Sequence, residues 1–276
     1  LDSRDDKQLI LDRLKTHAGT PWAKQAVEGV FTREAMLMLM RGEEPNVQSS
    51  LDSKQVAKLR SSLERGSEGM WSYLEATGGM MGHASKPVNN VNSSFINCNP
   101  SKDCAQYCYA TQGNYRYANV LVKSEMITMA IELDPVRAAN VVAREYKATA
   151  EYANKKALRL FDKGDGDAKW LPFIEALNNQ DVRVQIFSKQ PEFLRAVSDK
   201  NLRLLSIDES NKAMADQNPD LSVAFVYSGT HQIADLATMV ERGQIQVVLP
   251  VKLGRKVLDG SEVKDLKTSV KGIGKY

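Results

Sequence analysis

The amino-acid sequence predicts an α/β fold, a partial or complete (β/α) barrel with parallel strands, preceded by an all-helical N-terminal extension. Short apolar runs recur in the second half of the chain and alternate with amphipathic stretches, which is typical of consecutive strand–helix units. The runs are nearly continuously apolar, as expected of strands covered on both faces. An open doubly wound sheet would give the same periodicity and stays open as the alternative. The predicted strands are 93–96, 157–161, 182–187, 202–207, 221–227 and 245–251.

The N-terminal part of the chain contains only helical periodicity. Its predicted helices, separated by Gly and Pro, are 5–17, 22–30, 33–41 and 54–65. Gly, Asn and Ser accumulate in 78–97, so we place a domain boundary near residue 80. The predicted units are 1–80, a helical extension, and 81–276, a (β/α) barrel-like domain that carries the cysteines. The helices predicted beyond the boundary are 120–131, 135–152, 170–177, 191–197 and 233–240.

Composition narrows the class of protein. Lys and Arg number 37 against 34 Asp and Glu, giving a net charge of +3 with no basic block, so charge neither demands nor excludes a nucleic-acid partner. No apolar run is long enough to span a bilayer, and the polar start does not resemble a signal peptide. We therefore expect a soluble, cytoplasmic protein with no membrane partner.

The three cysteines of the chain, Cys98, Cys104 and Cys108, all fall within eleven residues. An odd number of clustered cysteines does not make a disulfide framework. The spacing Cys-x5-Cys-x3-Cys after a predicted strand suits three corners of a 4Fe-4S cluster, with the fourth iron left open. A tetrahedral zinc site is the competing interpretation, and it would need either an open catalytic position or a fourth ligand, for which His83 and His231 are the candidates. Chance clustering of structural cysteines is the third.

Polar residues follow the predicted strands, at the end where parallel α/β folds place their ligand sites. The turn after the second strand could hold an ammonium or hydroxyl group, or it could be a simple turn whose last carboxylate caps the next helix. Asp208 is a candidate general acid or base and is favoured over Glu209, because adjacent strand residues point to opposite faces. The turn consists of Gly164, Asp165, Gly166 and Asp167.

These motifs together resemble known proteins. Cys98…Cys104-Ala105-Gln106-Tyr107-Cys108-Tyr109-Ala110, then Gly113-Asn114-Tyr115, then Leu158-Arg159-Leu160…Gly164-Asp165-Gly166-Asp167, is similar to the phage gene product 88 family over roughly 85–250. The cysteine triplet after a first strand, the aromatic beside its last cysteine and the Gly/Asp turn also resemble the radical S-adenosylmethionine superfamily. The usual superfamily spacing is Cys-x3-Cys-x2-Cys, which is shorter than the spacing in this chain.

The resemblance implies a function and a set of residue roles. The three cysteines would hold the 4Fe-4S cluster, and S-adenosylmethionine, the small-molecule cofactor, would bind the open iron and be cleaved reductively. The resulting radical would modify an unknown substrate, such as a nucleotide, nucleic acid or polypeptide, in a phage or mobile-element setting. The implied cofactor-binding residues are Tyr109 near the adenine, Gly164, Asp165, Gly166 and Asp167 at the methionine end, and Ser188; the candidate catalytic residues are Asp208 and Tyr227.

Two other functions remain open from the sequence. The first is a non-catalytic binding module, stabilised by zinc or a cluster, that contacts nucleic acid or a host protein. The second is a barrel hydrolase or transferase that uses Asp165, Asp167 and Asp208 around a divalent metal, with the cysteines as a structural clasp.

Overall fold

The computed structural model of the chain describes residues 4–46, 51–82, 89–111, 113–227, 238–239, 242–243 and 245–250. Its centre is a sheet of six strands in the order of the sequence, with every neighbouring pair parallel. This confirms the predicted mixed α/β class with a parallel sheet. The strands are β1 (Asn90–Val91), β2 (Leu158–Leu160), β3 (Val184–Ser188), β4 (Leu202–Ile207), β5 (Ser222–Tyr227) and β6 (Val247–Pro250).

The N-terminal part is helical, as predicted, but its helices differ from the prediction in two places. The predicted helices 22–30 and 33–41 are one continuous helix. A further helix begins at Gly66, where the sequence predicted only the end of the preceding helix. The four helices are α1 (Arg4–Thr16), α2 (Pro21–Met40), α3 (Ser53–Leu63) and α4 (Gly66–Ala76).

Close packing explains both differences. A Cβ on Gly29, in the middle of α2, would lie 3.3 Å from Glu125 Oε1, so this glycine serves a close approach and does not end the helix. A Cβ on Gly69 would lie 1.6 Å from the Ser62 carbonyl oxygen, so α4 crosses the end of α3 at a distance that only glycine permits. Each glycine is required by a close packing contact, and such contacts cannot be recognised from the periodicity of the sequence.

The remaining helices cover the sheet and connect its strands. The predicted helix 135–152 is divided in two, because Thr149 caps a separate short helix by accepting a hydrogen bond from Tyr152 N at 3.3 Å. The helices are α5 (Lys102–Gln106), α6 (Ala118–Leu133), α7 (Pro135–Lys147), α8 (Ala150–Ala153), α9 (Leu171–Asn178), α10 (Pro191–Ala196) and α11 (Ala213–Gln217). Of the predicted helix 233–240, only 238–239 fall within the described residues; His83 and His231, the candidate zinc ligands, lie outside them.

The first predicted strand is wrong. Residues 93–96 do not form a strand; β1 lies just before them and spans two residues, and Phe95–Asn97 forms a 3-10 turn. The Ser94 hydroxyl accepts a hydrogen bond from Ile96 N at 3.0 Å and thereby starts this turn. The cysteines still follow the first strand, but a tight turn separates them from it.

A continuous apolar core joins the N-terminal helices to the sheet. Buried residues of α2 and α3, such as Leu39 and Leu59, belong to the same cluster as Met126 of α6 and the strand residues Leu160 and Ile186. Both parts of the chain therefore contribute to one core, and the predicted division near residue 80 stays a prediction. In the part of the chain that the structure describes, no helix combines the length and hydropathy that crossing a membrane requires.

Candidate functional site

A cavity of about 140 Å³ lies at the carboxyl ends of the central strands. The cysteine loop forms one wall, and the residues after β2, β3 and β4 form the opposite one. All three cysteines line it. Its principal polar lining residues are Asp103, Arg159, Asp162, Lys163, Asp165, Ser188, Lys189, Ser206 and Asp208.

Local hydrogen bonds fix the cysteine loop. The Ser101 hydroxyl caps α5 by accepting from Cys104 N at 3.2 Å, which places Cys104 in the first turn of that helix. Cys108 is buried, with 7% of its surface exposed, and its carbonyl oxygen accepts hydrogen bonds from Thr111 N at 3.1 Å and from the Thr111 hydroxyl at 2.7 Å. The backbone N–H groups of Ala110 and Thr111 near its sulfur favour the thiolate form.

Burial controls the acidity of the thiols. It raises the pKa of Cys98 and Cys104, and that of Cys108 to about 12. Cys104 and Cys108 raise the pKa of Cys98 further, so the three groups are close enough to interact electrostatically. Yet within the described ranges no set of three or more Cys, His, Asp or Glu side chains is arranged to coordinate a metal ion. The thiols share a cavity without forming a finished coordination group.

Two lysines, one buried and one largely buried, lie beside the cysteines. Lys163 has 2% of its surface exposed, and its Nζ lies 4.8 Å from the centre of the Phe95 ring and bonds to the Ser124 hydroxyl. Burial lowers its pKa to about 8, while the neighbouring Glu125, Cys98 and Cys108 favour its charged form. A cation here offsets negative charge on Cys98 and Cys108.

Lys189 is the second cation, and it faces Cys104. Its Nζ lies 3.5 Å from Asp208 Oδ2 and 3.4 Å from the Ser206 hydroxyl oxygen. Burial alone would lower its pKa, but Cys104, Asp208 and Asp165 outweigh burial and raise it. Lys189 therefore stays charged next to the thiols.

Asp165 lies in the turn after β2, and its carboxylate is bound within the site. It accepts hydrogen bonds from Gly166 N at 2.9 Å, from Lys189 N at 3.3 Å and from the Ser188 hydroxyl. Burial raises its pKa to about 6. Asp165 and Ser188, both predicted to bind a cofactor, thus lie together on the cavity wall.

Gly164 brings this turn against the segment that precedes the cysteines. Its φ of +83° is in the left-handed region, and a Cβ there would lie 1.9 Å from Ser93 Oγ and 2.7 Å from the Ser94 carbonyl oxygen. Phe161, just after β2, also has a positive φ of 61° although it is not glycine. Local backbone strain therefore accompanies the turn into the cavity.

The other predicted residues of the turn have different surroundings. Gly166 packs beneath the rings of Phe161 and Phe193, each within 2.6 Å of where its Cβ would be. Asp167 caps the following 3-10 turn by accepting from Lys169 N at 2.9 Å, and it also accepts from Asn97 Nδ2 at 3.4 Å. Neither residue lines the cavity, so the capping alternative describes the contacts of Asp167.

Asp208 connects the end of β4 to the cysteine loop. It is 2% exposed, accepts a hydrogen bond from the Ser101 hydroxyl, and accepts from Ser210 N at 3.1 Å. It lines the cavity, whereas Glu209 does not and pairs with Lys212 at 2.7 Å. Tyr227, the other candidate catalytic residue, is the last residue of β5, and its side chain lies outside the described residues.

Tyr109 lines the cavity beside a charged pair. Its ring, with 40% of the residue exposed, contacts Tyr115 edge-on at 6.3 Å, and Tyr115 donates a hydrogen bond to Asp162 at 2.5 Å. Arg159 lies 3.2 Å from Asp162, with its guanidinium 4.9 Å from the Phe187 ring centre.

Five charged residues of the cavity were absent from the candidates selected from the sequence. Asp162, Lys163 and Lys189 closely follow predicted strands, a position that could have identified them, and Asp103 lies between two of the cysteines. Arg159 lies inside a strand, so its position gave no such signal. The five are Asp103, Arg159, Asp162, Lys163 and Lys189.

The fold and site define a parallel α/β protein with a cysteine-lined cavity at the carboxyl edge of its sheet. The chain belongs to the gene product 88 family, whose sequence model matches residues 51–267. That range includes the cysteine loop and the turn after β2, and it begins after α2. No curated protein and no solved structure matches the chain.

Proposed function

We propose that the protein is an iron–sulfur enzyme of the radical S-adenosylmethionine type, with a 4Fe-4S cluster held by Cys98, Cys104 and Cys108. The observation that carries the proposal is that all three thiols of the chain line one cavity at the carboxyl edge of a parallel sheet. The substrate would be a nucleotide, nucleic acid or polypeptide in a phage or mobile-element setting. The sequential order of the parallel strands supports a partial (β/α) barrel as its architecture.

The chemistry around the thiols fits such a group. Thiolates ligate iron–sulfur clusters, and hydrogen bonds to the sulfurs and local charge tune them. The backbone N–H groups of Ala110 and Thr111 near Cys108 favour its thiolate form. Lys163 and Lys189 place positive charge beside the three sulfurs, which would offset the negative charge of a three-thiolate cluster. Closure of the site requires the three side chains to turn toward a common centre.

The chain's own residues would then divide the remaining work. A bound cluster supplies the electron for reductive cleavage of S-adenosylmethionine. Asp165 and Ser188 would receive the methionine amino group at the cavity wall, and Tyr109 would pack against the adenine. Asp208 would keep Lys189 charged and α5 in place through its contact with Ser101. Gly166 and Asp167 would act through the shape of the turn, and Tyr227 is proposed to face the substrate.

The experiment is to incubate anoxically purified protein with S-adenosylmethionine and dithionite and to quantify 5′-deoxyadenosine. We expect the wild-type chain to produce it and Cys104→Ala to produce none. Lys102→Ala, an exposed change on the same helix, is the matched control and should retain the activity. A wild-type protein that carries a cluster but yields no 5′-deoxyadenosine would contradict the radical chemistry.

A zinc-stabilised binding module is the second candidate, favoured by the carboxylates beside the thiols. Asp103, Asp165 and Asp208 all interact electrostatically with Cys104, and any of them could supply the fourth ligand of a tetrahedral zinc site. Such a module would contact nucleic acid or a host protein without catalysis. Colourless protein with one equivalent of zinc, lost in Cys104→Ala, would favour this candidate over the cluster.

A further inference from the structure

The first helices of the chain lie outside the region that the family model matches, yet they contact the cysteine loop directly. Arg13 Nη1, on α1, donates to the carbonyl oxygens of Cys98 at 3.1 Å and Ile96 at 3.4 Å. The backbone carbonyl of Pro100 lies near His17, which follows α1, and favours the charged form of its imidazole. Two side chains thus lie against three backbone carbonyls around the first cysteine.

An apolar contact lies next to these hydrogen bonds. Trp22 and Ala26 of α2 are buried with Phe95, Ala105 and Cys108 in a cluster that is separate from the main core. The edge of the Trp22 ring also meets His17, with ring centres 5.5 Å apart. The end of α1 and the start of α2, residues 13–26, are called the α1–α2 corner below. This corner packs against the cysteine loop and contacts residues between Phe95 and Cys108.

The α1–α2 corner also brings the positive charge of Arg13 near the site. Arg13 interacts electrostatically with Cys98, Asp165 and Asp167, so its positive charge reaches both the cysteine loop and the turn after β2. Lys15, two residues further on, has a side chain that is 75% exposed and pairs with Asp12 at 3.8 Å. Lys15 shares the helix and the charge of Arg13 without its contacts.

We propose that α1 and the first half of α2 form a clasp that fixes the backbone of the cysteine loop beside the cavity, with Arg13 as the principal positioning residue. The positioning of the loop is independent of which metal binds, whereas the electrostatic part of the proposal rests on the proposed iron–sulfur function. Residues 4–30 are accordingly part of the site.

Hydrogen exchange of the metal-free full chain tests the clasp. In Arg13→Ala we expect amides of 95–108 to exchange at least about tenfold faster than in wild type, while peptides from α7 and α9 stay unchanged. Lys15→Ala is the matched control and should leave the loop as in wild type. Equal loop exchange in the two variants would overturn the clasp.

A second variant keeps the test valid if Arg13→Ala unfolds the chain. His17→Ala removes the contact with Pro100 and the ring contact with Trp22, and it should speed exchange around 98–104 to a smaller extent than Arg13→Ala. Arg13→Lys keeps the charge but cannot present the same donor geometry, so it should restore the loop only in part. If His17→Ala leaves the loop unchanged and Arg13→Lys restores it fully, the hydrogen-bonded clasp is wrong.

The electrostatic part is read from the reduction potential of the cluster. Loss of the positive charge in Arg13→Ala should make the potential more negative, since reduction adds negative charge beside Cys98, and Arg13→Lys should restore it. An unchanged potential in Arg13→Ala would overturn this part alone. If the wild type binds no cluster, the proposed function fails, and hydrogen exchange still decides the clasp.

Discussion

Replacing Gly164 by Ala tests whether the turn after β2 must lie directly against the segment before the cysteines. The substitution introduces a methyl group 1.9 Å from Ser93 Oγ and 2.7 Å from the Ser94 carbonyl oxygen, at a φ of +83°. The left-handed conformation costs roughly 1–2 kcal/mol for a residue with a side chain. Overpacking against a fixed backbone adds about 1–3 kcal/mol. We therefore expect the free energy of unfolding to fall by ~2–5 kcal/mol.

Gly42→Ala separates the two contributions. Gly42 has a similar φ of +75°, but no atom lies within 4 Å of where its Cβ would be. It should lose only the conformational part, about 1–2 kcal/mol. Urea unfolding of both variants measures the difference, provided that the slopes with denaturant agree. If Gly164→Ala is no less stable than Gly42→Ala, the turn does not contact the cysteine segment as described.

The remaining predictions concern charged groups around the cavity. Lys163→Met should destabilise the fold by about 3 kcal/mol in urea unfolding, because it removes one of the two cations, Arg33 and Lys163, that offset the charge of the buried Glu125, and adding Glu125→Gln should recover part of that loss. Burial raises the pKa of Asp165 from 3.8 to about 6, so ionisation of this carboxyl group lowers the free energy of unfolding. This loss of stability is absent at low pH, begins near the unfolded pKa of 3.8 and is complete above about pH 6. Asp165→Asn should therefore gain stability relative to wild type, by up to ~3 kcal/mol, as the pH rises from about 4 to about 7 in unfolding experiments. Asp208→Ala should release Ser101 and Lys189, lower the free energy of unfolding by about 2–3 kcal/mol, and speed hydrogen exchange in α5.

Each of these predictions has a result that would contradict it. Strictly additive losses in Lys163→Met and Glu125→Gln would show that the two groups do not interact. If the free energies of unfolding of Asp165→Asn and wild type differed by the same amount at every pH, the pKa of Asp165 would not be raised. For Asp208, Glu209→Ala is the control, since Glu209 lies outside the cavity and should leave the exchange of α5 unchanged.

The strands after the first were predictable because buried parallel strands are largely apolar. The run 202–207 coincides with β4, and the other four runs match their strands to within a few residues. The first strand was not predictable from this signal. Asn90–Val91 is too short to form an apolar run, and the more apolar 93–96 is turned by the Ser94 hydroxyl.

Those residues of the candidate site that directly follow a strand could be predicted from their position in the sequence. Cys104, Asp165 and Asp208 follow predicted strands and meet at one cavity, because parallel strands bring their carboxyl ends to the same edge. Buried lysines were not predictable, because a lysine is buried only where partners from other elements offset its charge, and those partners are distant in sequence. Arg13 was missed for the same reason, since it meets Cys98 across 85 residues of sequence.

The iron and acid-labile sulfide content of the anoxically purified chain tests the central claim most directly. We expect about four of each per wild-type chain, with visible absorption that bleaches on reduction by dithionite, and loss of both in Cys98→Ala, Cys104→Ala and Cys108→Ala. Lys102→Ala should bind iron and sulfide as the wild type does. A colourless wild-type protein that holds stoichiometric zinc, or one whose iron content survives Cys104→Ala, would contradict the assignment of these cysteines to an iron–sulfur cluster.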